Sequence, residues 1–77
     1  MNNLLDWEKQ LEQLANGIRR CRKCPLAGTR QKAVPGEGGF RAAIMCIGEA
    51  PGEVEDQTGR PFQGRSGKLL DNLLSEV

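Results

Sequence analysis

Two cysteines separated by two residues, Cys21 and Cys24, are the first side chains in the sequence that could act together chemically. This spacing lets both thiolates point inward from one tight turn, so the pair can share one metal centre. A complete zinc or cluster site needs about four protein ligands, and this pair supplies two. Cys46 is a poor third ligand because it lies within an apolar run, where a buried and inert thiol is usual. A thioredoxin-like redox pair is disfavoured, since no strand precedes Cys21.

A second candidate is the loop 48–52, in which Glu49 is the only acid. The two glycines and the small alanine of this loop allow the backbone to approach a flat ligand closely. A carboxylate there can orient or deprotonate water and can stabilise positive charge on a sugar carbon as a glycosidic bond breaks. Phe62 offers a face on which a planar base can stack. Taken singly, Glu49 as a solvated loop acid and Phe62 as a core residue are the stronger interpretations.

Five consecutive segments must position these residues. Apolar residues spaced by three and four predict an amphipathic first helix over 3–20. Its stripe is formed by Leu4, Trp7, Leu11, Leu14 and Ile18. The remaining segments are a cysteine loop over 21–40, a strand over 42–47, a pocket loop over 48–65 and a second helix over 66–77 with Ser66 as its N-cap.

The predicted fold class depends mainly on residues 42–47. The run is apolar throughout without alternation, which is typical of a strand buried on both faces of a parallel sheet. In open parallel sheets ligands bind beyond the carboxyl ends of the strands, which places the site from Gly48 onward. We therefore predict an α/β fold with a parallel sheet flanked by helices. One strand cannot form that sheet, so further strands must come from additional chain or from a partner.

The order of these motifs resembles that of family 4 uracil-DNA glycosylases from about Cys21 onward. Each piece alone is a weak signal, whereas the combined string is highly specific. The string comprises Cys21-x-x-Cys24-x-Leu26, Arg30, Val34-x-Gly36-x-Gly38, Gly48-Glu-Ala-Pro-Gly52, Glu55-Asp56, Gly59-x-Pro61-Phe62-x-Gly64 and Gly67-x-Leu69-Leu70.

The resemblance implies a DNA-repair glycosylase that hydrolyses the N-glycosidic bond of uracil in DNA, releasing uracil and leaving an abasic site. Cys21 and Cys24 would be two of the four thiolates on a [4Fe-4S] cluster, and Glu49 the catalytic acid that positions water. The base would be flipped out of the DNA into the pocket. The implied substrate-binding residues are Gly48, Ala50, Pro51, Gly52, Glu55 and Phe62, with Phe62 stacking on the uracil.

The sequence lacks several parts that the resemblance calls for. It contains no histidine, and the other two cluster cysteines and the asparagine that reads the uracil edge would lie downstream. We therefore expect these 77 residues to be the N-terminal part of a single glycosylase domain.

Composition limits the alternatives. No apolar run approaches the length of about 20 residues needed to cross a bilayer, and three cysteines without a signal-like segment favour the cytoplasm. Cations crowd the stretch from Arg19 to Arg41, with Glu37 its only acid, and can meet phosphates or form a solvated face. A metal-stapled nucleic-acid-binding module and an inactive remnant of the enzyme are the alternatives. We infer DNA as a partner, with no membrane and no obligate protein partner.

Overall fold

The computed structural model describes residues 4–77, with side chains from Asp6 onward. Its α-helices within this range are α1 (Leu4–Arg20), α2 (Glu53–Thr58) and α3 (Arg65–Ser75), and a 3₁₀ helix spans Pro25–Gly28. Long irregular segments connect them, and the described chain measures 42 × 39 × 17 Å along its principal axes. The described part is therefore a flat arrangement of helices and shaped loops.

Helix α1 lies where the spacing of apolar residues predicts a helix over 3–20, although residue 3 is outside the described residues. Asp6 lies in its first turn and Arg19 and Arg20 in its last, the signs that the helix dipole favours at each end. The backbone N–H of Cys21 donates to the Ile18 carbonyl at 3.2 Å, which closes the last turn. The apolar faces of α1 and α3 remain largely exposed within the described residues.

The strand predicted over 42–47 is not formed in the structure. No β-strand occurs between residues 4 and 77, and Ile44, Met45 and Ile47 are 79, 81 and 82% exposed. A strand exists only through hydrogen bonds to a neighbouring strand, and the described chain offers none. The sheet of the predicted α/β fold is therefore not observed here.

The pocket loop predicted over 48–65 contains a helix that the prediction missed. Helix α2 begins after Gly52 and ends at Thr58, and its C-cap Gly59 adopts the left-handed conformation with φ 78°. Acidic residues occupy its first turn, where the helix dipole favours them. Its short length and flanking glycines explain why the segment resembles a loop in sequence.

Helix α3 also begins differently from the prediction. Its N-cap is Gly64, and Ser66, predicted as the cap, lies inside the first turn. The Lys68 N–H donates to the Gly64 carbonyl at 3.0 Å, so the helical hydrogen bonding begins there. None of the helices within residues 4–77 combines the length and apolarity needed to span a membrane.

Candidate functional site

The structure brings Phe62 against the start of the acid-bearing loop. A Cβ placed on Gly48 would lie 3.5 Å from Cε1 of the Phe62 ring, so the ring packs on the Gly48 backbone. Phe62 is half-buried, and its φ of 54° puts it in the left-handed region. That conformation costs a residue other than glycine roughly 1–2 kcal/mol, so neighbouring contacts must hold it in place.

Gly67 supplies the first of these contacts. It is buried in α3, and a Cβ at this position would lie 1.8 Å from the Phe62 carbonyl oxygen and 2.1 Å from the carbonyl carbon. Only glycine leaves room for the Phe62 backbone to lie directly on the helix. The ring is thereby anchored to α3 through its own main chain.

The Glu55 carboxylate supplies the second contact. Its Oε2 accepts hydrogen bonds from the N–H groups of Gln63 at 2.8 Å and Gly64 at 2.6 Å. Its Oε1 accepts one from the N–H of Gly52 at 2.9 Å. These bonds, led by the one from Gly64, lower the pKa of Glu55 below its ordinary value because they favour the ionised form. The predicted substrate contact of Glu55 stays a prediction, while its observed partners are backbone groups of the site itself.

Glu49 lies exposed on the loop 48–52, next to the glycine that contacts Phe62. Its carboxylate has no hydrogen bond or ion pair with any residue in the described part of the chain. Ala50 and Pro51 are exposed as well, so solvent reaches this edge of the loop. An exposed carboxylate with open lone pairs can hold a water molecule and accept its proton.

The two cysteines lie where α1 ends and the 3₁₀ helix begins. Cys21 is half-buried, Cys24 is the exposed N-cap residue of the 3₁₀ helix, and both thiols are free. Arg30 fixes this junction by donating from Nη2 to the carbonyls of Cys21 at 2.7 Å and Arg19 at 3.3 Å. Within residues 4–77 no cluster of three or more metal-binding side chains occurs. The donor set thus fits two thiolate positions of a larger centre.

Cys46, predicted to be a buried thiol, is exposed. It belongs to the run 42–47, whose side chains find no cover in the described residues. The prediction was wrong for this structure because it depended on a sheet that residues 4–77 do not form.

Two polar contacts join the cysteine segment to the pocket segment. Asp56 Oδ1 accepts from the N–H groups of Gln31 at 2.8 Å and Lys32 at 3.3 Å. Arg60 makes a two-point ion pair with Glu37, with both N–O distances 2.9 Å. Hydrogen bonding to Arg60 lowers the pKa of Glu37, and the same contact raises that of the Arg60 guanidinium.

Four cations meet at an open cleft of about 540 Å³ between the end of α1 and the end of α2. They are Arg19, Arg22, Arg30 and Lys32. Among the described residues, no acidic side chain lines the cleft, so it favours anionic groups such as phosphates. The basic stretch seen in the sequence is therefore gathered on one surface.

The sequence did not reveal the structural roles of Gly67, Asp56 and Arg60, although Gly67 and Asp56 stand in the motif string. A signal for one link was present: Gly52 and Glu55 have the three-residue spacing of a capping box, in which the acid reaches back to the N-cap N–H. Gly67 carried no comparable signal, because its close contact is with a residue of the preceding loop.

Comparison with known proteins gives a consistent result. Residues 35–77 match the family model described as the uracil DNA glycosylase superfamily. The chain is 54% identical over 67 residues to a type-4 uracil-DNA glycosylase of Saccharolobus solfataricus, an alignment covering 87% of this chain and 31% of the relative. Proteins of the same name from Pyrobaculum aerophilum and Thermotoga maritima are 49% and 46% identical, over 87% and 90% of this chain and 34% and 36% of the relatives. The chain thus spans about a third of the length of these relatives.

Proposed function

This chain belongs to the uracil DNA glycosylase superfamily, and we propose that the protein hydrolyses the N-glycosidic bond of uracil in DNA. Free uracil and an abasic site are the products. The observation that carries the proposal is the contact between the Phe62 ring and Gly48, the residue that immediately precedes the exposed Glu49. An aromatic face for a base and an acid for water thus belong to adjoining parts of the pocket loop.

In the proposed reaction, uracil leaves the DNA stack and lies against Phe62, with the backbone of Gly48, Ala50, Pro51 and Gly52 lining the pocket. Flipping gives access to the bond and favours a weakly paired base. As the bond to uracil breaks, positive charge develops on the sugar carbon, and the Glu49 carboxylate stabilises that charge. Glu49 also orients the attacking water and accepts its proton as the water oxygen bonds to the sugar carbon. Uracil leaves with the electron pair of the broken bond and is protonated from solvent, and Glu49 then returns its proton to solvent.

DNA is the proposed partner, and the basic cleft supports it. Arg22 and Lys32 line the cleft together with Arg19 and Arg30 and can neutralise phosphates of the backbone. Such contacts carry no sequence information, which suits an enzyme that must find uracil in any sequence. The three free thiols are in keeping with a reducing cytoplasmic location.

We further propose that Cys21 and Cys24 hold two corners of a [4Fe-4S] cluster whose other two thiolates come from outside residues 1–77. When bound, such a cluster supplies a rigid link between the segments that ligate it. In this chain that link would fix the junction between α1 and the 3₁₀ helix, which Arg30 already secures through the Cys21 carbonyl.

We also propose that residues 42–47 form a strand of a parallel sheet in the complete domain. The support is their apolar sequence and the exposure of Ile44, Met45 and Ile47 in the described chain. A partner strand would bury these side chains and satisfy the backbone at once. The loop 48–52 would then extend from the carboxyl end of that strand.

Exchange of Glu49 for Gln in the full-length natural protein tests the proposed function. The substitution keeps the size of the side chain but removes the proton acceptor, so the rate of uracil release should fall by about a hundredfold or more. The measurement is release of radiolabelled uracil from a uracil-containing oligonucleotide, by wild type and variant with equal visible absorption from the cluster.

Glu53→Gln is the matched control, because Glu53 is an exposed acid in the neighbouring first turn of α2. It should release uracil at the wild-type rate. Equal rates for the Glu49 variant and wild type would remove Glu49 from the mechanism. A wild-type protein that binds DNA but releases no uracil would contradict the proposed function and favour a binding module or an inactive remnant.

A further inference from the structure

We propose that Glu55 is the positioning residue of the base pocket, setting the place of the Phe62 ring by tying the backbone on both sides of the pocket to one carboxylate. The inference rests on the proposed function and deepens it, since it gives Glu55 a role in setting the pocket geometry through the backbone that carries Phe62.

The hydrogen bonds show how one carboxylate joins the two segments that form the walls of the proposed pocket. Oε2 holds the N–H groups of Gln63 and Gly64, the two residues that follow Phe62. Oε1 holds the N–H of Gly52, the last residue of the loop that begins at Gly48. The loop before α2 and the loop after Phe62 are thus both held by hydrogen bonds to one carboxylate on α2.

The glycines around this carboxylate leave room for it. A Cβ on Gly52 would lie 2.8 Å from Oε1, and one on Gly64 would lie 3.3 Å from Oε2, so a side chain at either position would press on the carboxylate. Gly67 holds the Phe62 backbone from the other side. The Phe62 main chain is therefore fixed between Glu55 and α3, in a left-handed conformation that it would not adopt unaided.

The charge of Glu55 matters as much as its position. A carboxylate is an acceptor at both oxygens, and here both are used by N–H donors. An amide would place an NH₂ group against at least one of those donors, breaking that bond and leaving two donors opposed. The loop bearing Phe62 would then move relative to Gly48, and displacements of about 1 Å are enough to impair an active site.

The test compares Glu55→Gln with Glu53→Gln in the full-length natural protein. Both variants lose one negative charge from the first turn of α2, so their effects on the helix dipole cancel in the comparison. We expect Glu55→Gln to raise the inhibition constant of free uracil and the KM for uracil-containing DNA about tenfold, as expected for loss of a charged hydrogen bond. Affinity for uracil-free DNA should stay within about twofold, because phosphate contacts are untouched.

A second pair of variants separates positioning from a general loss of stability. If Glu55 acts through Phe62, then Glu55→Gln should have little further effect on uracil inhibition in a Phe62→Leu background, while still lowering the melting temperature. Effects of the two substitutions that simply multiply would overturn the inference, as would a uracil inhibition constant for Glu55→Gln equal to that of Glu53→Gln.

Should Glu55→Gln fail to fold, Gly52→Ala takes its place, since its Cβ would press on Oε1 and displace the Glu55 carboxylate. It should raise the uracil inhibition constant in the same direction, and an unchanged constant would overturn the inference. These failures differ from failure of the proposed function, in which the wild-type protein itself neither releases uracil nor is inhibited by it.

Discussion

In residues 52–67 the backbone is held by groups of the same segment, whereas the apolar side chains of residues 42–47 lie exposed. The Glu55 carboxylate accepts hydrogen bonds from the N–H groups of Gly52, Gln63 and Gly64, and Gly67 lies against the Phe62 backbone. Ile44, Met45 and Ile47 contact little of the described chain. The first segment is specified by short-range polar contacts and the second by an apolar pattern that needs distant partners.

This difference shows which parts of a site can form from contacts within one short segment. Carboxylate to backbone bonds within about ten residues close small loops at a low entropic cost. Strand pairing in a parallel sheet requires a connection of a dozen or more residues before the first hydrogen bond forms. The pocket segment is thus formed by local contacts, whereas the sheet expected next to it depends on strands from distant parts of the chain.

The largest effect is expected from Gly67→Ala, which tests whether the pocket segment is held against α3. Its Cβ would lie 1.8 Å from the Phe62 carbonyl oxygen, so the backbone of the pocket segment must move away from α3. We expect a loss of about 3 kcal/mol in the free energy of unfolding, at the upper end for overpacking. Thermal unfolding of the full-length protein measures it.

Gly17→Ala is the control for this change, because Gly17 is also helical but, apart from its chain neighbours and the backbone of its own helix, no atom lies within 4 Å of its Cβ position. Alanine there should stabilise the protein by about 0.5–1 kcal/mol through helix propensity. Opposite signs for the two substitutions support the contact between Gly67 and Phe62. A tolerated Gly67→Ala would show that the pocket segment is not held in this way.

Sequence was a good guide to the chemistry of the site and a poorer guide to what supports it. Glu49, Phe62 and the paired cysteines are recognisable because their types and order are distinctive. The structure places Phe62 on Gly48, a contact that no spacing rule predicts for residues fourteen positions apart. Helix α2 was missed because six residues between glycines carry too short a pattern for helical periodicity.

The predicted fold shows the same division. Helices α1 and α3 occur close to their predicted positions because an apolar stripe is a property of each segment alone. The strand depended on neighbours that residues 4–77 do not supply, so its sheet stays a proposal. The role of Glu55 required coordinates, because its bonds join positions whose common feature is backbone geometry.

A smaller effect is expected from Ile44→Ala, which tests whether residues 42–47 are buried in the full-length protein. If residues 42–47 form a buried strand in the full-length protein, the truncation should cost about 2 kcal/mol of unfolding free energy. Chemical denaturation of wild type and variant provides the measurement. Gln57→Ala, at an exposed position of α2, is the control and should change stability by less than about 0.5 kcal/mol. An Ile44 effect no larger than this would mean that the run is exposed in the whole protein too.

The smallest effect is expected from acid, which distinguishes the Glu55 contacts from the surface ion pair of Glu37 and Arg60. Hydrogen bonding, chiefly from Gly64 for Glu55 and from Arg60 for Glu37, lowers the pKa of both acids. Each therefore contributes stability that is complete above its ordinary pKa of 4.5 and is lost as the pH falls through the lower folded pKa. Glu55→Gln and Glu37→Gln should each melt below wild type at pH 7, and both gaps should close toward pH 3.

Salt then separates the two acids. At 1 M sodium chloride the screening length falls to about 3 Å, which weakens the exposed pair of Glu37 and Arg60. The bonds of Glu55 are to backbone N–H groups at short range, so its gap at pH 7 should persist. Melting temperatures of wild type and both variants at low and high salt give the answer. A Glu55 gap that disappears with salt would show that this carboxylate acts as a surface charge, and the Phe62 backbone would then be held by the Gly67 contact without help from Glu55.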